Sequence, residues 1–107
     1  MNILVVIEHS QGSIHRLSKE AIVGAQNLGD RVTALVIGGG SKETISFLKE
    51  CDIERVLTVD HELVESYNAD GYSDIVRQVI ETISPKLVIA GHTYQTRDFM
   101  PRVSAKL

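Results

Sequence analysis

The chain is 107 residues long, is 43% hydrophobic and carries a formal net charge of -3. This length suits one hydrophobic core and is too short for two. The mild charge and scattered basic residues exclude the positive footprint of a nucleic-acid binder, and the longest apolar run is far too short for a membrane span. We therefore expect one domain that binds no nucleic acid and is not embedded in a membrane.

The start of the chain and its single cysteine bear on the compartment. Met1 is followed by an apolar run with no basic leader and no cleavage-like site, so we expect no signal or transit peptide. Cys51 cannot form an internal disulfide, and its apolar neighbours favour a small buried side chain over a reactive thiol. We expect the protein in the cytoplasm of a bacterium or archaeon.

Strand patterns and helix patterns alternate along the chain. Four short apolar runs, rich in β-branched residues, are typical of strands covered on both faces. These runs are residues 3–7, 32–37, 56–59 and 87–90. Between them lie three apolar stripes at helical spacing. The stripes are Leu17, Ala21, Ala25 and Leu28, then Ile45, Leu48 and Cys51, then Tyr72, Ile75, Val76, Val79, Ile80 and Ile83.

Capping and breaking residues predict where the helices begin and end. Gly29 is expected to end the first helix, and Ser41 is expected to cap the second. The third ends before Pro85, because proline cannot continue the helical hydrogen bonds. Polar residues 60–71 are expected to form a surface loop. The last helix is expected to open on Arg97-Asp98, with proline in its first turn.

The alternation predicts an α/β fold. It is a three-layer αβα sandwich with a parallel, doubly wound sheet of at least four strands, of the nucleotide-alpha-hydrolase-like kind. With the first strand central and the fourth on its other side, the carboxyl ends of these two strands flank a crevice. Residues 8–13 and 92–96 would then face each other across it.

Two glycine-containing turns are candidates for an anion site. The run 38–41, Gly-Gly-Gly-Ser, precedes a helix, yet it matches neither phosphate-loop motif, so a tight turn is the favoured interpretation. The turn after Gly91 places Thr93 and Thr96 near a positive helix end. Self-capping by Thr96 or Asp98 is the favoured interpretation there.

The remaining polar residues do not form a catalytic or metal-binding pattern. The four histidines are too far apart in sequence for a zinc site, and only His9 and His92 would approach each other across the crevice. No nucleophile motif is present, and Glu8 with His9 is interpreted as a strand-end pair facing solvent. Arg97 is unusual, since a cation at a helix start is unfavourable; it pairs with Asp98 or Glu8, or reaches a partner.

The two ends of the chain resemble the α subunit of electron transfer flavoproteins. The opening Ile3-Leu4-Val5-Val6-Ile7-Glu8-His9 is similar to the first strand and Glu-His turn of that family. The closing strand 87–91, followed by Arg97-Asp98, Pro101-Arg102-Val103 and Ala105-Lys106-Leu107, is similar to its final corner. The chain departs from the family pattern at Thr96, where many members have Gly, and at Ser104, where they have Ala.

The resemblance implies a scaffold role for this chain. It would be a single domain over 1–107, the N-terminal domain of an α subunit, with the FAD domain following it. The parent protein would be an electron carrier and not an enzyme, taking electrons from dehydrogenases, including those of fatty acid oxidation, and passing them to a quinone reductase or another acceptor. The resemblance implies that FAD contacts come mainly from outside this chain, which would bind no flavin tightly, and that the β subunit is its partner.

Seven residues are candidates for partner contacts or for lining the crevice. They are Glu8, His9, His92, Thr93, Arg97, Asp98 and Arg102. No catalytic residue and no metal ligand is predicted. The alternative hypothesis is a free-standing nucleotide-binding or stress-type regulatory domain that uses the same crevice, although residues 92–96 lack the glycines that such a phosphate site needs.

Overall fold

The computed structural model describes residues 2–10, 12–29, 31–38 and 42–107. The strands within these ranges are β1 (Asn2–Ile7), β2 (His9–Ser10), β3 (Ser13–Ile14), β4 (Arg31–Ile37), β5 (Arg55–Val59) and β6 (Leu87–Ala90). The helices are α1 (Arg16–Leu28), α2 (Lys42–Glu50), α3 (Ala69–Ile83) and α4 (Tyr94–Lys106). A single turn of 3-10 helix spans Glu62–Val64.

The main sheet has four parallel strands in the order β5-β4-β1-β6. Val5 on the central strand β1 aligns with Ala34 on β4 and with Ile89 on β6. This order confirms the doubly wound sheet, with the first strand central and the last strand on its other side. A two-stranded antiparallel hairpin, β2-β3, adds to the turn after β1 and was not predicted.

The helices form a layer on each face of the sheet. Alternate residues of β1 and β4 point to opposite faces, so each face has its own apolar core. On one face α1 and α2 cover Ile3, Val5, Ile7, Val32, Ala34 and Val36. On the other face α3 and α4 cover Leu4, Val6, Leu35 and Ile37. The three-layer prediction is therefore confirmed.

The first helix ends where the sequence predicts, but its buried face is shifted. Gly29 is the C-terminal cap, in an extended conformation and not the left-handed one. Leu28, assigned to the apolar stripe, is 60% exposed, whereas Ile22, which the stripe omitted, is buried. The core-facing side of α1 is centred on Ala21, Ile22 and Ala25.

The third helix begins earlier than predicted, so the 60–71 stretch is not a continuous loop. Asn68 caps the helix by accepting a hydrogen bond from the Gly71 N–H at 2.6 Å. The 3-10 turn buries Val64 in the core on the α3 and α4 face. The sequence pattern missed this start because the first turn of α3 carries polar and small residues instead of the apolar stripe.

The fourth helix also begins earlier than predicted. Its first residue is Tyr94, so residues 94–96 are helical and Arg97 lies one turn inside the helix. Pro101 is therefore in the helix interior and not in its first turn. The early start follows from Thr93, whose side chain caps the helix and satisfies a first-turn N–H.

The remaining sequence expectations concern the glycine run, the cysteine and the membrane. Gly38 has a φ of +88°, as a tight turn requires, while Gly39, Gly40 and Ser41 lie outside the described residues.

Cys51 is half-buried. Burial raises the pKa of its thiol, and the charge of Glu50 raises it further. Among the helices of the described ranges, none is both long enough and apolar enough to cross a bilayer.

Candidate functional site

The carboxyl ends of β1 and β6 meet at a direct hydrogen bond. The Thr93 hydroxyl donates to Glu8 Oε1 at 2.7 Å, joining residues that are 85 positions apart in the chain. The Glu8 side chain is only 16% exposed, so it is not the solvent-facing strand-end residue that the sequence indicated. The two strand ends do face each other, as the predicted topology requires.

Thr93 and Thr96 form a reciprocal cap at the start of α4. The Thr96 N–H donates to Thr93 Oγ1 at 3.2 Å, and the Thr93 N–H donates to Thr96 Oγ1 at 3.0 Å. The Thr96 hydroxyl also donates to the Gly91 carbonyl. Thr93 is therefore the cap, where the sequence favoured Thr96 or Asp98, and Thr96 is its partner three residues on.

A close backbone contact explains the glycine at the end of β6. A Cβ atom placed on Gly91 would lie 2.8 Å from Leu17 Cβ and 2.9 Å from the Leu17 carbonyl carbon. The first turn of α1 therefore packs directly on residue 91, and any side chain there would push it away. This contact brings the start of α1 beside the start of α4.

His15 completes this corner, and the sequence did not indicate it. Its Nδ1 atom accepts a hydrogen bond from the Leu17 N–H at 3.1 Å and so caps α1. Its Nε2 atom lies 3.8 Å from Glu8 Oε2, beyond hydrogen-bond length. Histidine is not among the residues usually found at this cap position, so the only available signal was its place just before the helix.

These residues line an open crevice of about 510 Å³. Four of the seven candidate residues line it. Of the other lining residues, Tyr94 and Gln95 belong to the 92–96 segment that was predicted to face the crevice, whereas His15 and Leu17 were not predicted. The candidates are Glu8, His92, Thr93 and Arg97; the others are His15, Leu17, Tyr94 and Gln95. A second open groove of about 480 Å³ lies beside it, between β6 and α4, and also includes His92 and Arg97.

Arg97 contacts an aromatic ring and not a carboxylate. Its guanidinium carbon lies 5.6 Å from the centre of the Tyr94 ring, in a cation–π contact. Tyr94 is 87% exposed. Neither Asp98 nor Glu8 forms an ion pair with Arg97 in the described part of the chain, so the two internal pairings suggested by the sequence are wrong.

His9 points away from the crevice. Its Nε2 atom lies 2.8 Å from the Ile37 carbonyl at the end of β4, on the opposite side of β1 from β6. The approach of His9 to His92 is therefore not observed. Within the described residues, no group of three or more histidine, cysteine or acidic side chains is placed to hold a metal ion.

Asp98 and Arg102 lie on the face of α4 that packs against α3. Tyr67 donates its hydroxyl to Asp98 Oδ2 at 2.7 Å, and Arg102 lies 3.2 Å from Asp70 on α3. Burial raises the pKa of the Tyr67 hydroxyl, and the hydrogen bond to Asp98 raises it further. Arg102 therefore joins α4 to α3, Asp98 joins α4 to the segment before α3, and neither lines the crevice.

At the start of α4, the charge on the inner wall of the crevice is unfavourable for a phosphate. The Glu8 carboxylate, bonded to the capping residue of α4, places a negative charge where the helix would otherwise attract an anion. Asp98, which the sequence offered as a cap for this helix, faces Tyr67 instead. The start of α4 beside Glu8 therefore does not offer the net positive charge that favours a phosphate at a helix N-terminus.

Comparison with known proteins identifies the family. The profile of the electron transfer flavoprotein domain matches residues 3–107. The chain belongs to this family. The match confirms the resemblance carried by the two end motifs, and nothing in the comparisons favours a free-standing nucleotide-binding domain.

Curated relatives include α subunits of electron transfer flavoproteins. The subunit from Bacillus subtilis is 33% identical over 107 residues, which are 98% of this chain and 33% of that protein. The subunit from Clostridium acetobutylicum is 27% identical over 107 residues, 96% of this chain and 32% of that protein. Subunit LctC of the lactate dehydrogenase (NAD(+),ferredoxin) of Acetobacterium woodii is 28% identical over 108 residues, 97% of this chain and 26% of that protein. The chain thus spans a third or less of these relatives.

Proposed function

We propose that this chain is the N-terminal domain of an electron transfer flavoprotein α subunit and acts as a scaffold for its partner subunit. The observation that carries the proposal is the family match over 3–107 in a chain that spans 33% of the Bacillus subtilis α subunit. The parent protein would be an electron carrier that takes electrons from dehydrogenases and delivers them to a quinone reductase or another acceptor.

The geometry of the crevice supports a scaffold role. The polar groups at its inner wall are satisfied by one another, since Thr93, Thr96 and Glu8 share hydrogen bonds. A site that binds a nucleotide tightly would instead present free backbone N–H groups to the phosphates. Such internal satisfaction stabilises the corner and supports a role in holding strand ends and helix starts in place.

FAD would supply the redox chemistry of the parent protein. We propose that its contacts lie mainly outside residues 1–107, because the Glu8 carboxylate opposes a phosphate at the one switch-point crevice described here. The LctC relative is by name part of a lactate dehydrogenase that uses NAD and ferredoxin, which supports a choice of donors wider than a single pathway.

Flavin absorbance tests this division of labour. The gene product at its full natural length is purified with its companion subunit, and the 107-residue chain is purified alone. We expect the visible absorbance of a stoichiometric flavin from the complex and none from the short chain. A stoichiometric flavin on the short chain, or a full-length complex without flavin, would contradict the proposal.

A further inference from the structure

We propose that the α4 rim, defined as His92, Tyr94 and Arg97, is the docking site for an acidic segment of the companion subunit. The inference rests on the proposed function, which supplies that subunit. It goes further by assigning a surface to the contact and a charge to the segment that occupies it.

Arg97 differs from the other two cations of α4. Arg102 Nη1 lies 3.2 Å from Asp70 Oδ1, and Lys106 Nζ lies 2.6 Å from Asp74 Oδ1. Both cations are therefore paired with carboxylates of α3. No carboxylate forms an ion pair with Arg97 anywhere in the ranges that the structure describes. A guanidinium presents a fork of N–H donors that matches a carboxylate in two parallel hydrogen bonds. Its natural complement is therefore an aspartate or glutamate from outside the domain.

Tyr94 makes the same surface suitable for a protein partner. At 87% exposure it is the most exposed large hydrophobic side chain of the described residues. Its ring supports the Arg97 guanidinium at 5.6 Å, which reduces the freedom that both side chains would lose on binding. Tyrosine and arginine are the residue types most often found at the energetic centre of protein interfaces.

The rim stands between two concave surfaces. The crevice of about 510 Å³ lies on one side, and the groove of about 480 Å³, which includes Met100 and Pro101, lies on the other. His92 and Arg97 belong to both. A segment with a carboxylate at Arg97 and flanking side chains in the two concavities would contact the whole rim. A small free anion would fill neither.

The companion subunit fits this surface better than the continuing chain does. Leu107 lies at the far end of α4, and 13 helical residues at 1.5 Å each separate the two ends by about 20 Å. A segment that follows Leu107 directly would have to return along the helix to reach Tyr94. We therefore assign the rim to a separate polypeptide, with an aspartate or glutamate as the anchoring residue.

Charge reversal at Arg97 provides the test. The full-length protein is prepared with Arg97→Glu and, as a matched control, with Lys49→Glu, which makes the same charge change at an exposed position on α2. The dissociation constant of the companion subunit is measured by calorimetry at low and physiological salt. We expect Arg97→Glu to weaken binding by roughly tenfold or more, as for a central interface arginine, and Lys49→Glu by less than about twofold.

Cross-linking from position 94 identifies what lies on the rim. Tyr94 is replaced by p-benzoylphenylalanine in the full-length complex, and the captured peptide is sequenced by mass spectrometry. We expect a peptide of the companion subunit that contains an aspartate or glutamate. Circular dichroism shows whether the Arg97→Glu protein folds. If it does not, the cross-link still tests whether the companion subunit lies on the α4 rim.

The outcomes separate this inference from the proposed function. If both charge variants bind the companion subunit with wild-type affinity, the docking site is overturned while the scaffold role stands. A cross-link from position 94 to the same polypeptide beyond Leu107 has the same consequence. A wild-type protein that does not bind its companion at all overturns both. Equal weakening by Arg97→Glu and Lys49→Glu also overturns the docking site, because it would reflect net charge and not a local contact.

Discussion

Single residues at the ends of β1 and β6 determine how the corner is built. Gly91 lets α1 approach the end of β6, and Thr93 joins the start of α4 to Glu8 on the other strand end. The role of Gly91 depends on its lack of a Cβ atom, and the role of Thr93 depends on its hydroxyl group. Substitution at either position is therefore expected to disturb the packing of the corner.

Replacing Gly91 by alanine is expected to destabilise the domain. The new Cβ would lie within 3.0 Å of two atoms of Leu17, one of them in the backbone, so α1 would have to move. Overpacking of this kind costs about 1–3 kcal/mol in the free energy of unfolding. Urea denaturation, followed by circular dichroism, measures this loss in the free energy of unfolding.

Gly24→Ala is the matched control for that substitution. Gly24 lies inside α1, and apart from its chain neighbours and the nearby backbone of that helix no atom is found within 4 Å of a Cβ placed there. Alanine is the better helix former, so this variant should be up to about 1 kcal/mol more stable than the wild type. Equal stability of the two variants would show that the contact at Leu17 does not constrain residue 91.

At the scale of elements, α3 and α4 are joined by a row of charged pairs above their apolar contact. Asp70 and Asp74 on α3 face Arg102 and Lys106 on α4, at the same spacing of four residues on both helices. The spacing of four residues places Arg102 and Lys106 on one face of α4, but nothing in the sequence indicates what that face contacts. The pairs are exposed, so each contributes only modestly to stability.

The pair between Asp74 and Lys106 is expected to make stability pH-dependent. The hydrogen bond from Lys106, and then its charge, lowers the pKa of Asp74 below the ordinary value of 3.8. Because the pKa of Asp74 is lowered in the folded state, the pair contributes to the stability of the fold above pH 3.8. This contribution is lost as the pH falls through the lower pKa that Asp74 has in the folded state. Asp74→Asn should therefore be less stable than the wild type at neutral pH and equal to it well below the ordinary pKa of an aspartate.

Urea denaturation at a series of pH values measures this difference. Asp60→Asn, an exposed change in the segment after β5, is the control and should show no comparable trend. High salt should reduce the difference at neutral pH, because exposed charges are screened. A difference between Asp74→Asn and the wild type that persists unchanged at low pH would contradict the role given to Lys106.

At the scale of the whole molecule, one sheet serves two apolar cores. The central strands β1 and β4 contribute alternate side chains to each face, so neither helix layer packs without them. Val5 and Leu4, neighbours in sequence, belong to different cores. The two layers should therefore unfold together.

Truncating one buried residue in each layer tests this cooperativity. Leu48 on α2 and Val103 on α4 are both almost inaccessible to solvent, on opposite faces of the sheet. Leu48→Ala should cost about 2–5 kcal/mol, and Val103→Ala should cost somewhat less because it removes less volume. Circular dichroism and tyrosine fluorescence should give the same midpoint for each variant. Separate midpoints would show that the layers unfold independently.

Local patterns predicted the fold well and the site only in part. The four strands of the main sheet were predicted to within one residue at each end, because short β-branched apolar runs between turn residues are typical of buried strands. The starts of α3 and α4 were missed, since Asn68 and Thr93 cap them ahead of any apolar stripe. His15 was missed, and Tyr94 was placed at the crevice only as part of residues 92–96, because nothing in their immediate neighbours distinguishes them from ordinary surface residues.

The alternation of strands and helices, the α/β fold class and the family all follow from the amino-acid sequence. Period, propensity and end motifs are local properties that can be read along the chain. Which side chains meet depends on the folded molecule. Glu8 meets Thr93 and His9 meets Ile37, while Asp98 meets Tyr67 and Arg102 meets α3 in place of the crevice. These contacts join residues 28 to 85 positions apart. Their geometry depends on sheet register and helix rotation, which no local pattern specifies.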